Sequence, residues 1–344
     1  MMRIAIISDT QGPTPTTGGH GLGRATYNIA EGLHHRGHDV TLIAVQGSQC
    51  SGRLITPIPQ DGNNAEIVLA QACASAHRER PFDVIYDHSH RHLLHAMMPD
   101  LPIVNHYHDR MQPYRPCPVL CSEGQRALMI DGFEQFGFPP EPRFSNARVV
   151  HNAIDAGSIT PSWRADEPPY IVFIGYHIHY KQPILAIQAA TLARVNIKMM
   201  GGMVGQQPNS TPWLFSGNES GIEYLGQVPP AQRDEVLRGA RVVLQLGWME
   251  AGPLINIEAN LAGTPLVAWP GGGNLDYIED GVNGVFIDTD SAPLADAVVD
   301  AIHQAWDIPR KCVREHTEGY WGNVQRYIDD VERILNDRAG GATW

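Results

Sequence analysis

The sequence has few lysines and no long apolar run. Lys181, Lys198 and Lys311 are its only lysines among 344 residues, so most of its 25 basic side chains are arginines. The 37 acidic residues leave a net charge of −12, which disfavours nucleic acid and anionic lipid as partners because both recruit cationic surfaces. No run approaches the roughly 18 apolar residues of a membrane span, so we expect no transmembrane helix.

Cysteine is also scarce. The five cysteines are odd in number and scattered, which argues against a disulfide framework and favours a reducing compartment. The apolar run at the N-terminus is far shorter than the core of a signal peptide. We therefore expect a cytoplasmic protein that does not associate with membranes.

Short β-branched runs alternate with helical stretches in two parts of the chain. In the first part, strands are predicted at residues 3–7, 38–44, 82–86, 102–105, 119–121 and 148–150. A Pro-rich segment at 158–169 is typical of a linker, and the alternation restarts after it with strands at 170–175, 197–200, 241–246, 265–269 and 284–287. This pattern predicts two α/β units with parallel sheets, and a binding site at the carboxyl ends of their strands, in the cleft between the sheets.

The glycine-rich segment Thr17–Gly23 opens the first predicted helix, as phosphate-binding loops do. In a dinucleotide-binding fingerprint, however, the glycines follow directly on the first strand. Here Ile7 and Gly18 are roughly ten residues apart, and no acidic residue ends the second strand to hold a ribose. A loop that contacts a phosphate or an acceptor remains open, as does a plain flexible loop.

Histidines cluster in Asp87–His92 and in His106–Asp109. Alternation along an extended segment would place His88, His90 and His92 on one side, where a metal could use them. No carboxylate or cysteine is spaced to complete a closed site. We therefore predict that both clusters lie at strand ends facing a polar cleft, and that no metal is bound.

The strongest pattern is Glu250-x7-Glu258. The Ala-Gly-Pro between the two acids opens a helix and leaves the backbone N–H groups of Leu254 and Ile255 available to an anion. Upstream, Lys181 follows a buried strand that ends at Gly175. This lysine is placed to neutralise a diphosphate.

Together, these motifs resemble the retaining GT-B glycosyltransferases, in particular glycosyltransferase family 4. The resemblance covers nearly the whole chain. Besides the acid pair, it rests on Phe173-Ile-Gly175 with Lys181 downstream, Val149–Asp155, Ala259–Val267, Gly271–Gly284 and Arg36–Thr41. It implies two Rossmann-like domains facing across a deep cleft, with a final helix at 317–335 crossing back to the N-terminal domain. The implied domains are 1–160 plus 317–344 for the acceptor and 161–316 for the nucleotide sugar.

The resemblance also implies roles for single residues. Glu258 would accept hydrogen bonds from both ribose hydroxyls, Glu250 would bind the transferred sugar, and Lys181 would bind the diphosphate. His108 would lie near the sugar and the acceptor hydroxyl, with Asp109 orienting it. The implied catalytic residues are His108, Lys181 and Glu250, and the implied nucleotide-sugar-binding residues are Gly21, Tyr176, Lys181, Glu250, Gly252, Leu254, Ile255 and Glu258.

The implied reaction is metal-independent, needs no cofactor and retains the anomeric configuration. The donor would be a nucleoside-diphosphate sugar, expected to be UDP-linked, and the acidic chain favours a small or soluble hydroxyl acceptor. The sequence departs from the family at Tyr176, where an arginine is usual, and at His20, Ala153 and Pro253, where glycine is usual. These departures leave open a non-catalytic nucleotide-sugar-binding relative. A GT-B sugar-nucleotide epimerase or phosphorylase is the other alternative.

Overall fold

The computed structural model describes residues 1–15, 21–57, 64–109, 112–132, 137–202, 221–291 and 293–344. Over these residues, the apolar runs form two separate parallel sheets, as the alternation of strands and helices predicts. The chain divides into unit 1, Met1–Asn152 with Val324–Trp344, and unit 2, Ala153–Asn323.

The sheet of unit 1 has the strand order β3-β2-β1-β4-β5-β6-β7. Its central strands are buried along almost their whole length, because helices cover both faces of a parallel sheet. The strands are β1 (Arg3–Ile7), β2 (Asp39–Ile43), β3 (Arg53–Ile55), β4 (Val84–Asp87), β5 (Ile103–Tyr107), β6 (Pro118–Leu120) and β7 (Arg148–Val149). The helices between them are α1 (Gly21–His35), α2 (Ala65–Glu79), α3 (Leu93–Met97) and α4 (Glu123–Asp131).

Two helix ends in unit 1 follow directly from the sequence. Helix α1 ends just before Gly37, which takes a left-handed φ of 86° that a residue with a Cβ atom adopts only under strain. Helix α4 begins at its N-cap Ser122, whose side chain accepts a hydrogen bond from the backbone N–H of Gln125. The first signal sets the turn between α1 and β2, and the second starts α4 directly after β6.

The sheet of unit 2 has the strand order β10-β9-β8-β11-β12-β13. Successive residues of the central strand Tyr170–Ile174 pack into different hydrophobic cores. Tyr170 and Val172 lie in the core on one face of the sheet, and Ile171 and Phe173 lie in the core on the other. The strands are β8 (Tyr170–Ile174), β9 (Asn196–Met200), β10 (Ile222–Gly226), β11 (Val242–Gln245), β12 (Leu266–Ala268) and β13 (Gly284–Phe286). The helices are α5 (Pro183–Ala193), α6 (Pro230–Gly239), α7 (Leu254–Leu261), α8 (Asn274–Tyr277), α9 (Leu294–Trp306) and α10 (Arg310–Glu318).

The C-terminal helix α11 (Val324–Ala339) is part of unit 1, where it packs against α1, β4 and β5. Arg36 forms ion pairs with Asp329 and Glu332, both at 2.6 Å, and Arg326 Nη2 donates to the carbonyl of His151 at 2.9 Å. The predicted single helix at 317–335 is wrong in its start. Thr317 belongs to α10, and a turn at Trp321 and Gly322, both of whose N–H groups donate to the Thr317 carbonyl, separates the two helices.

The boundaries of the two units differ from the expected 160/161 and 316/317. The segment after residue 152 is tied to unit 2, because the N–H groups of Ile154 and Ala156 donate to the carbonyls of Trp321 and Gly322. Buried Arg314 on α10 donates to the carbonyls of Ala156, Ile159 and Leu261. These bonds assign 153–160 and 317–323 to the second unit.

No described helix is both long enough and apolar enough to cross a bilayer.

Candidate functional site

The two acids of the strongest motif follow strand β11 in unit 2. Glu250 is in the loop after β11, and Glu258 is in the middle of α7. The helix begins directly after Pro253, which has an extended conformation as the N-cap. A first helical turn leaves backbone N–H groups without intrahelical acceptors, and Leu254 and Ile255 occupy that turn. Half-buried Gly252 precedes it in the same loop.

Lys181 lies beside Glu250. It ends a short 3₁₀ turn, His179–Lys181, after β8, and β8 pairs with β11 in the sheet. Lys181 Nζ donates to Glu250 Oε1 at 2.5 Å, with the two side chains 16% and 9% exposed. Burial acts to lower the pKa of Lys181, but the Glu250 carboxylate, together with the phenols of Tyr180 and Tyr176, outweighs burial and the pKa lies above its ordinary value. Lys181 is therefore a fixed positive charge at the carboxyl ends of these two strands.

Gly247 makes room for this ion pair. A Cβ atom at position 247 would lie 2.1 Å from Glu250 Oε1 and 3.3 Å from Lys181 Cδ. Any larger residue would force the carboxylate away from the lysine. The sequence-level interpretation of the motif overlooked this glycine.

Glu258 is paired with a cation that the sequence reasoning also missed. Arg233, on α6, places Nη2 at 3.2 Å from Glu258 Oε1, and the side chains are 9% and 4% exposed. Each acid of the motif therefore has a buried basic partner: Lys181 for Glu250 and Arg233 for Glu258. Tyr176, the substitute for the usual arginine, follows β8 and is half-buried. Its phenol contributes less to the raised pKa of Lys181 than Glu250 and Tyr180 do.

Unit 1 contains the remaining predicted site residues. Gly21 is the first residue of α1 and is half-buried. Residues 16–20, which include the first part of the glycine-rich segment up to His20, lie outside the described residues. Each unit thus carries part of the predicted residue set: Lys181 and the acids in unit 2, Gly21 and His108 in unit 1.

Three histidines and one cysteine lie together at the carboxyl ends of β4, β5 and β6. His88 Nδ1 and His108 Nε2 are 2.8 Å apart, while Cys121 Sγ is 3.5 Å from both His106 Nε2 and His108 Nδ1. Tyr86 Oη is 2.7 Å from His106 Nδ1. Both ring nitrogens of His108 thus face His88 and Cys121. Asp109 Oδ2 lies 3.6 Å from His90 Nε2, and the orientation of the His108 ring by Asp109 stays a prediction.

This histidine cluster (His88, His106 and His108) also offers ligand nitrogens within 4.8 Å of one another. Its rings stack, however, with centroids of His106 and His108 4.2 Å apart and of His88 and His108 5.1 Å apart. A 2.8 Å separation of two ring nitrogens is a hydrogen-bond distance and is too short for two tetrahedral ligands of one zinc ion. The cluster in this geometry is a hydrogen-bonded network, and the absence of a metal stays a prediction.

Burial keeps the cluster neutral. It lowers the pKa of His88 to about 3 and holds the pKa values of His106 and His108 well below the ordinary value. Neighbouring imidazoles lower the pKa of His106 and His108 further.

We expect unit 1 to lose stability as the pH falls from about 7 to about 5. A histidine whose pKa is depressed by folding takes up its proton only on unfolding. Below the unfolded pKa of about 6.5, each such histidine therefore costs up to about 1.4 kcal/mol per pH unit. For His88 the loss continues down to its folded pKa of about 3. Urea unfolding followed by amide hydrogen exchange in β4 and β5, corrected for intrinsic rates, measures it. His106→Asn removes one of these histidines and should therefore reduce the slope of unfolding free energy against pH by the equivalent of about one proton. A free energy of unfolding of wild-type unit 1 that is the same at pH 7 and pH 5 would contradict the depressed pKa values.

Two family models match the chain. The model "Glycosyl transferases group 1" matches residues 159–319, and the model "Glycosyltransferase Family 4" matches residues 19–129. The first range lies wholly in unit 2 and the second wholly in unit 1.

Curated relatives match over part of their length. A D-inositol 3-phosphate glycosyltransferase of Mycolicibacterium smegmatis is 28% identical over 56% of this chain and 49% of its own length. One of the same name from Mycolicibacterium gilvum is 34% identical over 40% of this chain and 35% of its own length. The chain thus spans half or less of the length of these relatives.

Solved structures match over the whole chain. AviGT4, a glycosyltransferase involved in avilamycin A biosynthesis, has a TM-score of 0.73 at 20% identity, with 100% of both chains covered. Anabaena HepE, solved in complex with UDP and glucose, has a TM-score of 0.71 at 18% identity, with 98% of this chain and 100% of that chain covered.

Proposed function

The chain belongs to the glycosyl transferases group 1 family and has the GT-B fold, and on this premise we propose that it is a retaining, metal-independent glycosyltransferase. Its donor would be a UDP-linked hexose or pentose, and its acceptor the hydroxyl of a small or soluble molecule in the cytoplasm. One observation carries the proposal: a buried Lys181–Glu250 pair lies in the same unit as the first turn of α7 and Glu258.

Lys181 and the first turn of α7 suit the diphosphate. The lysine supplies a permanent charge, and the amides of Leu254 and Ile255 supply hydrogen-bond donors at the positive end of the helix dipole. Both are fixed by the fold before any ligand arrives. Such preorganised donors stabilise charge that develops on a leaving group, which is the work a magnesium ion would otherwise do.

The two carboxylates suit neutral hydroxyl groups. Glu258 would accept hydrogen bonds from the ribose hydroxyls, and Glu250 from hydroxyls of the transferred sugar. Because Glu250 is already paired with Lys181, the cation that binds the phosphates also fixes the carboxylate that binds the sugar. The proposal assigns Gly21 to the phosphates and His108 to the sugar and acceptor.

In the proposed step, the bond between the anomeric carbon and the phosphate oxygen breaks, and its electron pair leaves with the nucleoside diphosphate. The acceptor oxygen bonds to the anomeric carbon on the same face. Its proton passes to the departing phosphate oxygen, so no protein base is required. This fits His108, whose ring nitrogens already face His88 and Cys121 and whose low pKa leaves it neutral.

The names of similar proteins support the choice of substrates. The HepE structure contains UDP and glucose, which favours a UDP-sugar donor. The curated relatives are named for D-inositol 3-phosphate, which is a small soluble acceptor.

The test is turnover of UDP-glucose, UDP-galactose, UDP-xylose and GDP-mannose in EDTA, with a panel of small polyols and polyol phosphates. We expect one donor to give a glycoside whose anomeric proton coupling in NMR shows retained configuration. Release of nucleotide with an inverted product would contradict the mechanism. Nucleotide binding without turnover of any donor would favour the non-catalytic relative, which Tyr176 and Pro253 suggest. Conversion of a donor without acceptor would favour the epimerase.

A further inference from the structure

Arg233 occupies a position in α6 that a buried apolar residue would normally fill. It lies three and four residues before Val236 and Leu237, so all three share the face of the helix that is packed into unit 2. Only 9% of its side chain is exposed. An arginine is rarely buried to this degree unless its charge is paired and its donors are used.

The charge of Arg233 is paired, but its donors are only partly used. Nη2 contacts Glu258 Oε1 at 3.2 Å and Asp234 Oδ1 at 3.4 Å. The Nε–H group is buried and has no hydrogen-bond partner among the described residues. A buried donor without an acceptor has lost its hydrogen bond to water and gained none, so a ligand oxygen that accepted from it would recover that loss.

The charge balance at Glu258 also favours a role for Arg233 in ribose binding. A ribose is neutral, and its binding to Glu258 would exclude water from a carboxylate that is already 4% exposed. Without a counter-ion, this desolvation would oppose binding. Arg233, on α6, supplies this counter-ion. Its planar guanidinium has several donors, so Nη2 can contact the carboxylate while Nε–H remains available to a ligand oxygen.

We propose that Arg233 recognises the nucleoside: its Nε–H donates to an oxygen on the ribose edge of the nucleotide while Glu258 accepts from the ribose hydroxyls. The oxygen is either the ribose 2′-oxygen or the base carbonyl beside the glycosidic bond. This inference rests on the proposed function, which makes Glu258 the ribose-binding residue. It adds a nucleoside-binding residue to those implied by the resemblance.

Calorimetric titration of the whole chain with UDP tests it. We expect Arg233→Leu to raise the Kd for UDP at least about tenfold, which is the effect of losing one hydrogen bond to a charged group. Arg233→Lys keeps the positive charge for Glu258 but removes Nε, so it should weaken UDP binding as well. Arg238→Leu is the matched control, because it removes the same charge from the same helix without touching Glu258, and it should leave the affinity unchanged.

Two further nucleotides separate recognition from a structural role. If the acceptor is the 2′-oxygen, Arg233→Lys should weaken 2′-deoxy-UDP binding much less than UDP binding. If it is the base carbonyl, ADP binding should be the less affected, since adenine has no carbonyl beside the glycosidic bond. An equal loss for all three nucleotides would overturn the inference, because Arg233 would then only hold Glu258 in place.

UDP affinity within about twofold of wild type in Arg233→Lys would also overturn it. Melting curves show whether Arg233→Leu is folded, and if it is not, Arg233→Lys decides alone. Failure of the wild-type chain to bind UDP, GDP or ADP is a different result: it would overturn the proposed function, and this inference with it.

Discussion

Replacing Lys181 by methionine is expected to lower kcat/KM by about 10²–10³-fold, the range found when one preorganised donor to a developing anion is removed. Lys181 is buried and charged beside Glu250, and it is the one described lysine at the carboxyl ends of β8 and β11. Methionine fills a similar volume without the charge. Steady-state kinetics with the donor identified by the turnover screen measures the loss.

The same substitution has a second, structural effect that must be separated from the first. It leaves Glu250 buried without its cation, and breaking a buried pair in this way costs about 3–5 kcal/mol. The double variant Lys181→Met with Glu250→Gln removes both charges and should recover most of the melting temperature but none of the activity. Lys311→Met removes a lysine that is 72% exposed and should change neither. Full activity in a folded Lys181 variant would contradict the role in diphosphate binding.

Replacing Glu258 by alanine should weaken UDP binding by about 100-fold, because the two hydrogen bonds that we propose between the ribose and this buried carboxylate would be lost. The variant also leaves the buried Arg233 guanidinium without its main partner. Glu258→Gln keeps the volume and one acceptor oxygen and should fall between alanine and wild type. Calorimetric titration gives all three affinities.

Glu250→Ala provides the contrast within the motif. Glu250 would bind the transferred sugar and not the nucleotide, so we expect lower kcat with UDP affinity close to wild type. Glu235→Ala, on the exposed side of α6, controls for a change in local charge. If Glu258→Ala binds UDP as tightly as wild type, the assignment of Glu258 to the ribose is wrong.

The fold was predictable because most strands are short β-branched runs between helical stretches. The expected strand at 3–7 is β1 as observed, and those at 170–175 and 265–269 are β8 and β12 with trimmed ends. Strands β3 and β10 were missed because their burial is partial, so no continuous apolar run marks them. The break between α10 and α11 was missed because both helices are amphipathic and the glycine turn between them is short.

The local parts of the site were predictable, and its long-range pairs were not. The acid spacing, the helix opening at Pro253 and Lys181 after its strand are all visible within a few residues of sequence. The Arg233–Glu258 contact joins two helices and depends on packing of unit 2. The approach of Cys121 to the histidine cluster likewise depends on β5 and β6 being neighbours in the sheet. A residue whose partner is set by strand order leaves no local signal.

The most direct test of the central claim is calorimetric titration of the chain with UDP, GDP and ADP in EDTA. Binding of one nucleoside diphosphate per chain, with UDP the tightest, without added metal and weakened by Glu258→Ala, is the result that the site in unit 2 predicts. No binding of any of the three, or binding that appears only when a divalent metal is added, would contradict it.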